Sequence, residues 1–218
     1  MIYSKDKNFL FIHIPKTAGT TLRKALAPYQ SGRRPRLGLI KSRLQRYGFY
    51  QLNFAMMKIF GPFKHITARQ ARRLMGKKKF EAAYKFAIIR RPEDWVVSSW
   101  RFAARRPRHI FHSQAKSCKN LMEWIDVIEH SYRREIAAFG GIQASYIYDE
   151  SGTLLVDKIL QLETLTQDIA AIAKVINAPI TLEYENVSTN LDKHKFEITP
   201  EALHRLRKLL PSDYAFYQ

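Results

Sequence analysis

Short apolar runs alternate along the chain with longer segments in which apolar residues recur at helical spacing. Residues 9–14 and Tyr84–Ile89 are apolar runs typical of parallel strands, because strands covered on both faces carry runs rather than alternation. Residues 157–162 predict a third core strand. Since helical segments separate these runs, the pattern predicts an α/β fold with a mostly parallel central sheet and helices on both faces.

Capping patterns and prolines mark where several helices begin. Thr67 and Gln70 have the spacing of a capping box, which predicts a helix over residues 67–75. Pro92, followed by two acidic residues, predicts a helix over residues 92–105. Apolar spacing predicts further helices over residues 37–60, 119–138, 164–177 and 199–210, and turn residues at 149–152 predict a hairpin between strands at 145–148 and 153–156.

Length and composition indicate one ordinary globular domain. The 218 residues are long enough for a single α/β domain over residues 1–218 and too short for two large ones. A single cysteine, Cys118, excludes an internal disulfide framework. No run approaches the roughly 20 apolar residues of a transmembrane helix. The first residues lead almost directly into a strand and leave no room for a signal peptide, so we expect a cytoplasmic protein.

Positive charge is concentrated in the first half of the chain. The formal net charge is +18, and residues 1–110 hold 26 Lys and Arg against 4 Asp and Glu, whereas residues 111–218 hold 11 against 15. The positive electrostatic field of this half attracts anionic ligands and accelerates their binding to the protein. Nucleic acid, an anionic membrane surface, a polyanionic glycan and a nucleotide all fit it, so charge alone does not choose among them.

The residues after the first strand have the composition of an anion-binding loop. Lys16 supplies a full positive charge. Gly19 is expected to adopt a backbone conformation closed to other residues and to let an anion approach. Thr20 or Thr21 is expected to cap the helix that follows. The amides at that helix start, with the hydroxyls of Thr17, Thr20 and Thr21, then predict a phosphate site.

The order of residues in this loop separates it from the loop of nucleotide hydrolases. That loop has the pattern G-x-x-x-x-G-K-[ST], whereas here Lys16 and Thr17 precede Gly19. Pro-Lys-Thr-Ala-Gly-Thr-Thr after a strand instead resembles the 5′-phosphosulfate loop of sulfotransferases that use 3′-phosphoadenosine 5′-phosphosulfate (PAPS). The resemblance is closest to the branch with the carbohydrate 2-O-sulfotransferases and related bacterial proteins. It implies a P-loop-like sulfotransferase fold and donor contacts from Lys16, Thr17, Ala18, Gly19, Thr20 and Thr21.

A second motif, after the second strand, extends this resemblance. The family places an Arg at a strand end and a Ser eight residues later around the 3′-phosphate, and Arg90 and Ser98 have this spacing. A guanidinium binds two phosphate oxygens through paired hydrogen bonds, and the helix that starts at Pro92 directs its N-terminal side toward a dianion. The family often has a second Arg in the next turn. Trp95 occupies that place here, so no residue of this chain is assigned the contact that the second Arg makes in the family.

Sulfuryl transfer by in-line attack also needs a base for the acceptor hydroxyl. In the 2-O-sulfotransferase branch this base is a His between the two nucleotide motifs, and His65 matches by position and by its Lys-His-Ile-Thr-Ala setting. The ordinary pKa of imidazole suits the role. His13 is expected to be a packed strand residue, and Glu81 is a rival base, because some sulfotransferases use a carboxylate. Lys16 would neutralise charge on the departing 5′-phosphate without a metal, and no His/Cys/Asp cluster has metal-ligand spacing.

Two other functions fit parts of the sequence. Residues 154–156, followed by Asp157, look like the metal-binding strand of a magnesium-dependent kinase. Basic runs at residues 33–36, 72–73, 77–79 and 105–108 would suit a nucleic-acid-binding protein, but no binding module accompanies them. The sequence therefore favours a sulfotransferase with a hydroxyl acceptor. The resemblance to carbohydrate sulfotransferases, together with the basic first half, implies an anionic glycan or glycolipid as the acceptor, and without a binding module no nucleic acid is expected. No pattern indicates an oligomeric state.

Overall fold

A four-stranded sheet lies at the centre of the described residues, 1–31, 65–182 and 196–217 of this computed structural model. Its strands are β1 (Ile2–Ser4), β2 (Phe9–Ile12), β3 (Tyr84–Ile89) and β4 (Lys158–Gln161), in that spatial order. β1 pairs antiparallel with β2, whereas β2, β3 and β4 are parallel to one another. The predicted α/β class and mostly parallel sheet are confirmed, and β1 is an edge strand that the sequence did not predict.

Helices join the strands and cover both faces of the sheet. They are α1 (Gly19–Leu26), α2 (Ala68–Met75), α3 (Lys77–Ala82), α4 (Pro92–Ala104), α5 (His112–Ser117), α6 (Leu121–Ser131), α7 (Arg133–Phe139), α8 (Ala144–Ile147), α9 (Leu165–Val175), α10 (Pro200–Leu209) and α11 (Pro211–Tyr214). Short 3₁₀ segments lie at Ala27–Tyr29, Leu162–Thr164 and Ala215–Tyr217. The predicted helices over residues 37–60 and the basic run at 33–36 lie outside the described residues.

The apolar run of β2 is buried on both faces, as its composition predicts. Phe9 and Phe11 belong to a core that includes apolar residues of α1 and α9. Leu10 and Ile12 belong to a core on the other face, which includes residues of α2, α3 and α8. A further apolar cluster joins α4, α6 and α10 beside the sheet. The sheet is therefore a rigid support for the loops at its edges.

The capping box of α2 is confirmed. Thr67 Oγ1 accepts a hydrogen bond from the Gln70 amide at 3.2 Å, and Gln70 Oε1 accepts one from the Thr67 amide at 2.8 Å. The predicted helix over residues 119–138 is instead two helices, α6 and α7. They are separated at Tyr132, whose backbone (φ −110°, ψ 19°) is not helical. This break accompanies edge-on packing of Tyr132 against Trp95, with ring centroids 6.1 Å apart.

The strand predicted at residues 145–148 is wrong, because this segment forms α8. The Asp213 carboxylate accepts hydrogen bonds from the backbone amides of Ile142, Gln143 and Ala144, at 2.8 to 3.1 Å, and so satisfies the amides at the helix start. Only an isolated bridge between Tyr148 and Leu154 remains of the predicted hairpin. A distant acidic side chain thus outweighs the local preference of this segment for a strand.

Candidate functional site

The carboxyl ends of β2, β3 and β4 meet at one edge of the sheet. The register pairs Ile12 with Ala87 and Ile89 with Gln161, so the segments that follow the three strands are neighbours. The loop at residues 13–18, which we call the phosphate loop, follows β2, and Arg90 follows β3. In open α/β sheets this edge is where ligands bind. The two motifs found in the sequence therefore lie side by side.

The backbone of the phosphate loop forms a concavity suited to an anion. Lys16 (φ 66°) and Ala18 (φ 54°) are left-handed, whereas Thr17 between them is not. Alternation of this kind turns successive amide groups toward one point, where they bind anions. The Thr17 hydroxyl donates to the Ile14 carbonyl at 3.0 Å and closes the loop from within. α1 follows at once, and its first amides lack intrahelical acceptors.

Gly19 has a role different from the predicted one. It is not among the residues with positive φ, and Lys16 and Ala18 supply the left-handed conformations instead. A Cβ at position 19 would collide with the imidazole of His13, so close approach of a side chain requires glycine here. The residue before α1 is Ala18, and no side chain caps the helix. The predicted left-handed glycine and the predicted threonine cap are both wrong.

Two histidines pack together at the phosphate loop, one within it and one beside it. His13, 2% exposed, stacks on Phe11, and its ring centroid is 4.5 Å from that of His65. The His13 carbonyl lies 3.2 Å from His65 Nδ1. Because a carbonyl can only accept, Nδ1 carries the proton in the neutral ring and Nε2 carries the lone pair. This tautomer allows His65 to take up a proton through Nε2.

A buried tryptophan joins the phosphate loop to α4. Trp95 is 3% exposed, and its indole Nε1 donates to the Pro15 carbonyl at 2.7 Å. Further along the same helix, Phe102 lies under the ammonium of Lys16, with Nζ 4.1 Å from the ring centroid. Ser98 is three residues after Trp95 and four before Phe102, and therefore shares their helix face. The face of α4 toward the loop thus includes Ser98.

Arg90 is held in place by a fully buried glutamine. The Arg90 amide donates to Gln143 Oε1 at 2.9 Å, and Gln143 Nε2 donates to the Arg90 carbonyl at 2.7 Å. Burial lowers the pKa of the Arg90 guanidinium, while the charges of Asp94 and Glu163 raise it. An arginine remains protonated under such shifts. The site thus keeps a partly desolvated positive charge beside the start of α4.

Glu163 contributes a further anchor at the end of β4. Its Oε1 accepts from the Arg91 amide at 2.9 Å, and its Oε2 accepts from the Tyr217 hydroxyl at 3.1 Å. Burial, and then the charge of Glu163, raise the pKa of Tyr217. The carboxylate therefore ties the C-terminal segment to the residue that follows Arg90.

A model of the sulfotransferase family matches residues 1–218, the whole chain. The chain belongs to the sulfotransferase family. Comparison with curated proteins and with solved structures gives no significant match. Membership of this family implies sulfuryl transfer to a hydroxyl acceptor.

Two acidic residues considered from the sequence lie at the other edge of the sulfotransferase sheet. Asp157 precedes β4 and accepts from the amide and the ammonium of Lys85, at 2.6 and 2.9 Å. Glu81 precedes β3 and pairs with Arg72 at 2.9 Å. Asp157 contacts Lys85, which pairs with Leu10, and Glu81 comes before β3, so both carboxylates lie toward the amino ends of the strands, about 10 Å or more from the phosphate loop. The magnesium-site interpretation of Asp157 is therefore wrong, and Glu81 is not placed to act as the base.

In the described part of the chain, no group of three or more His, Cys, Asp or Glu side chains could hold a metal ion. Over the same residues, every helix is too short or too polar to cross a bilayer.

The sequence did not identify Trp95, Gln143 or Glu163 as part of this site. Trp95 offered a signal, because it stands where the related pattern often has an arginine and because a buried indole N–H needs an acceptor. Gln143 and Glu163 gave none, since their contacts depend on the fold.

Proposed function

We propose that this sulfotransferase moves the sulfuryl group of PAPS to a hydroxyl of an anionic carbohydrate, with His65 as the base. The observation that carries the proposal is the position of His65 beside the phosphate loop. Its Nδ1 contacts the carbonyl of His13, the first residue of that loop, and the ring of His13 packs against Gly19, the first residue of α1. A base and an anion-binding loop are therefore neighbours at the edge where ligands of such sheets bind.

The residues present fit the two phosphate groups of PAPS. The left-handed residues Lys16 and Ala18 shape a concavity for the 5′-phosphosulfate, and Arg90 with Ser98 would hold the 3′-phosphate. When bound, PAPS supplies the activated sulfuryl group. The Lys16 ammonium contacts Phe102, and a cation–π contact of this kind contributes only about 0.5–1 kcal/mol. A phosphate oxygen can therefore draw the ammonium from the ring, and Lys16 would then neutralise charge on the leaving 5′-phosphate.

His65 would accept the proton of the acceptor hydroxyl at Nε2. The His13 carbonyl then stabilises the imidazolium, because it accepts a hydrogen bond from Nδ1–H of His65. The rings of His13 and Phe11 support the orientation of His65 from one side. The carbohydrate nature and negative charge of the acceptor rest on the resemblance to carbohydrate 2-O-sulfotransferases and on the basic first half of the chain. The cytoplasmic location stays a prediction.

Thermal shift tests the donor. Adenosine 3′,5′-bisphosphate should raise the melting temperature without added metal, because every binding group named above is a side chain or an amide. Magnesium–ATP and duplex DNA serve as the comparison ligands. Stabilisation by either of these in the absence of any response to the bisphosphate would refute the proposal.

Substitution of His65 tests the base. His65→Ala should bind the bisphosphate like the unmodified protein and lose transfer from radiolabelled PAPS to an acceptor found by screening carbohydrate hydroxyls. His204→Ala is the matched control, because His204 is exposed on α10. Full transfer by His65→Ala would show that His65 is not the base.

A further inference from the structure

A short cationic segment connects α4 to α5 beside the phosphate loop. It comprises residues 105–109 and is called the basic segment here. Arg105, Arg106 and Arg108 are exposed, and no carboxylate of the described residues forms an ion pair with them. Ile110, directly after the segment, is 80% exposed. The surface thus combines positive charge with an exposed apolar side chain.

Consecutive turns fix the shape of the basic segment. The Arg106 amide donates to the Ala103 carbonyl at 3.2 Å, and the His109 amide donates to the Arg106 carbonyl at 2.8 Å. The His112 amide in turn donates to the His109 carbonyl at 2.9 Å. Because the backbone is already ordered, a ligand bound here would lose less free energy to ordering of the chain.

One aromatic ring connects the basic segment to the lysine of the phosphate loop. Lys16 Nζ lies 4.1 Å and Arg106 Cζ lies 4.7 Å from the centroid of Phe102. His109 packs edge-on against the same ring, with centroids 5.4 Å apart. Burial lowers the pKa of His109, and the charges of Lys16 and Arg106 lower it further. The basic segment is therefore adjacent to the place where Lys16 would act.

We propose that the basic segment binds the carboxylated sugar of the acceptor and holds it next to Lys16. This inference rests on the proposed function, since it requires the acceptor to approach at the phosphate loop. Guanidinium groups bind carboxylates through paired hydrogen bonds, which suits a sugar acid. Ile110 gives apolar surface for the C–H face of the sugar ring, and Phe102 holds Arg106 close to Lys16 through its contacts with both cations. The basic segment is therefore the specificity determinant for an acidic acceptor.

The position of the other basic runs argues for a compact acidic sugar rather than nucleic acid. Lys77, Lys78 and Lys79 lie on α3, which precedes β3 and so lies at the opposite edge of the sheet from the phosphate loop. Within the described residues these runs do not continue the basic segment as one track. Nucleic acid binds through a series of phosphate contacts along its backbone, whereas one or two carboxylates need only a local cluster.

Two double variants test this inference. Arg106→Gln/Arg108→Gln removes two positive charges from the basic segment, and Lys78→Gln/Lys79→Gln removes two at the opposite edge, where both lysines are exposed. The probes are a tetrasaccharide that contains glucuronic acid and the same tetrasaccharide with its carboxyl groups reduced to alcohols. Calorimetry measures their binding in the presence of saturating adenosine 3′,5′-bisphosphate.

The unmodified protein should bind the acidic tetrasaccharide about tenfold more tightly than the reduced one, as expected for two exposed ion pairs. Arg106→Gln/Arg108→Gln should lose this preference and keep the affinity for the bisphosphate. Lys78→Gln/Lys79→Gln should behave like the unmodified protein. Absence of bisphosphate binding by the unmodified protein would instead overturn the proposed function, so the two failures are distinguishable.

Three results would overturn the inference while leaving the donor site intact. The first is equal loss in both double variants, which would indicate a response to net charge alone. The second is failure of the unmodified protein to prefer the acidic tetrasaccharide. The third is binding of duplex DNA or anionic lipid vesicles that requires Arg106 and Arg108 when the acidic tetrasaccharide does not bind.

Discussion

Trp95→Phe removes the indole N–H that joins α4 to the phosphate loop and leaves an aromatic ring in the same place. The lost hydrogen bond is buried and 2.7 Å long, and its acceptor is the carbonyl of Pro15. That carbonyl belongs to the peptide unit that precedes Lys16, which has φ 66°. The bond therefore holds the orientation of the peptide on which the left-handed conformation of Lys16 depends.

The expected effect follows from two free energies of similar size. A hydrogen bond of this kind contributes about 0.5–1.5 kcal/mol net, and a left-handed residue other than glycine costs about 1–2 kcal/mol. Loss of the bond therefore lets the loop relax away from the anion-binding conformation. Apparent affinity falls in proportion to the population of the competent conformation, so the binding of adenosine 3′,5′-bisphosphate should weaken by at most about tenfold.

Trp100→Phe is a matched control within the same helix. Its indole Nε1 donates to the Ala115 carbonyl, also at 2.7 Å, and its side chain is fully buried away from the loop. Both variants should lose about 1–3 kcal/mol of unfolding free energy in urea. Only Trp95→Phe should weaken bisphosphate binding in calorimetry. Equal weakening by both variants, or unchanged binding by Trp95→Phe, would refute the positioning role of Trp95.

Four further substitutions test the charge, the support and the pH response of the site. Lys16→Ala and Arg90→Ala should each weaken bisphosphate binding in calorimetry about tenfold or more, because a hydrogen bond to a charged group contributes about 1.5–3 kcal/mol. Gln143→Leu should lower the free energy of unfolding in urea by about 2–4 kcal/mol, because it leaves the amide and the carbonyl of Arg90 without their partner. Burial raises the pKa of Asp213 to about 6, so ionisation is less favourable in the folded state and the stability contributed by this group falls as the pH rises from about 4 to about 6. The unfolding free energy of the unmodified protein relative to Asp213→Asn should therefore decrease by up to about 3 kcal/mol between pH 4 and pH 7.

Each of these expectations has a distinct contrary result. Lys24→Ala, at an exposed position of α1, is the control for charge, and a loss of bisphosphate affinity equal to that of Lys16→Ala would indicate long-range attraction rather than contact. Unchanged stability of Gln143→Leu would mean that water replaces both hydrogen bonds. An increase in the relative stability of the unmodified protein with pH would mean that the three amide donors to Asp213 outweigh its burial.

Local patterns were sufficient to predict the frame of this site. The apolar runs of β2 and β3, the capping box at Thr67 and the proline at the start of α4 each act within a few residues, so the sequence alone contains their cause. Arg90 and Ser98 belong to one strand–helix connection, and the resemblance to sulfotransferases gave their spacing its meaning. The sequence could therefore predict that both motifs follow parallel strands of one sheet, while their role in binding an anion stays a prediction.

The details that the sequence did not predict are all set by contacts between distant segments. Asp213 satisfies the amides that start α8, about 70 residues earlier in the chain, and so changes a predicted strand into a helix. His13 requires glycine at position 19 by filling the space of its Cβ. Trp95, which lies on α4, holds the Pro15–Lys16 peptide through a hydrogen bond to the Pro15 carbonyl. Side chains outside residues 15–21 therefore set the conformation of the phosphate loop. A chain with the same residues at these seven positions, but with no hydrogen-bond donor in the place of Trp95, would need another support for Lys16.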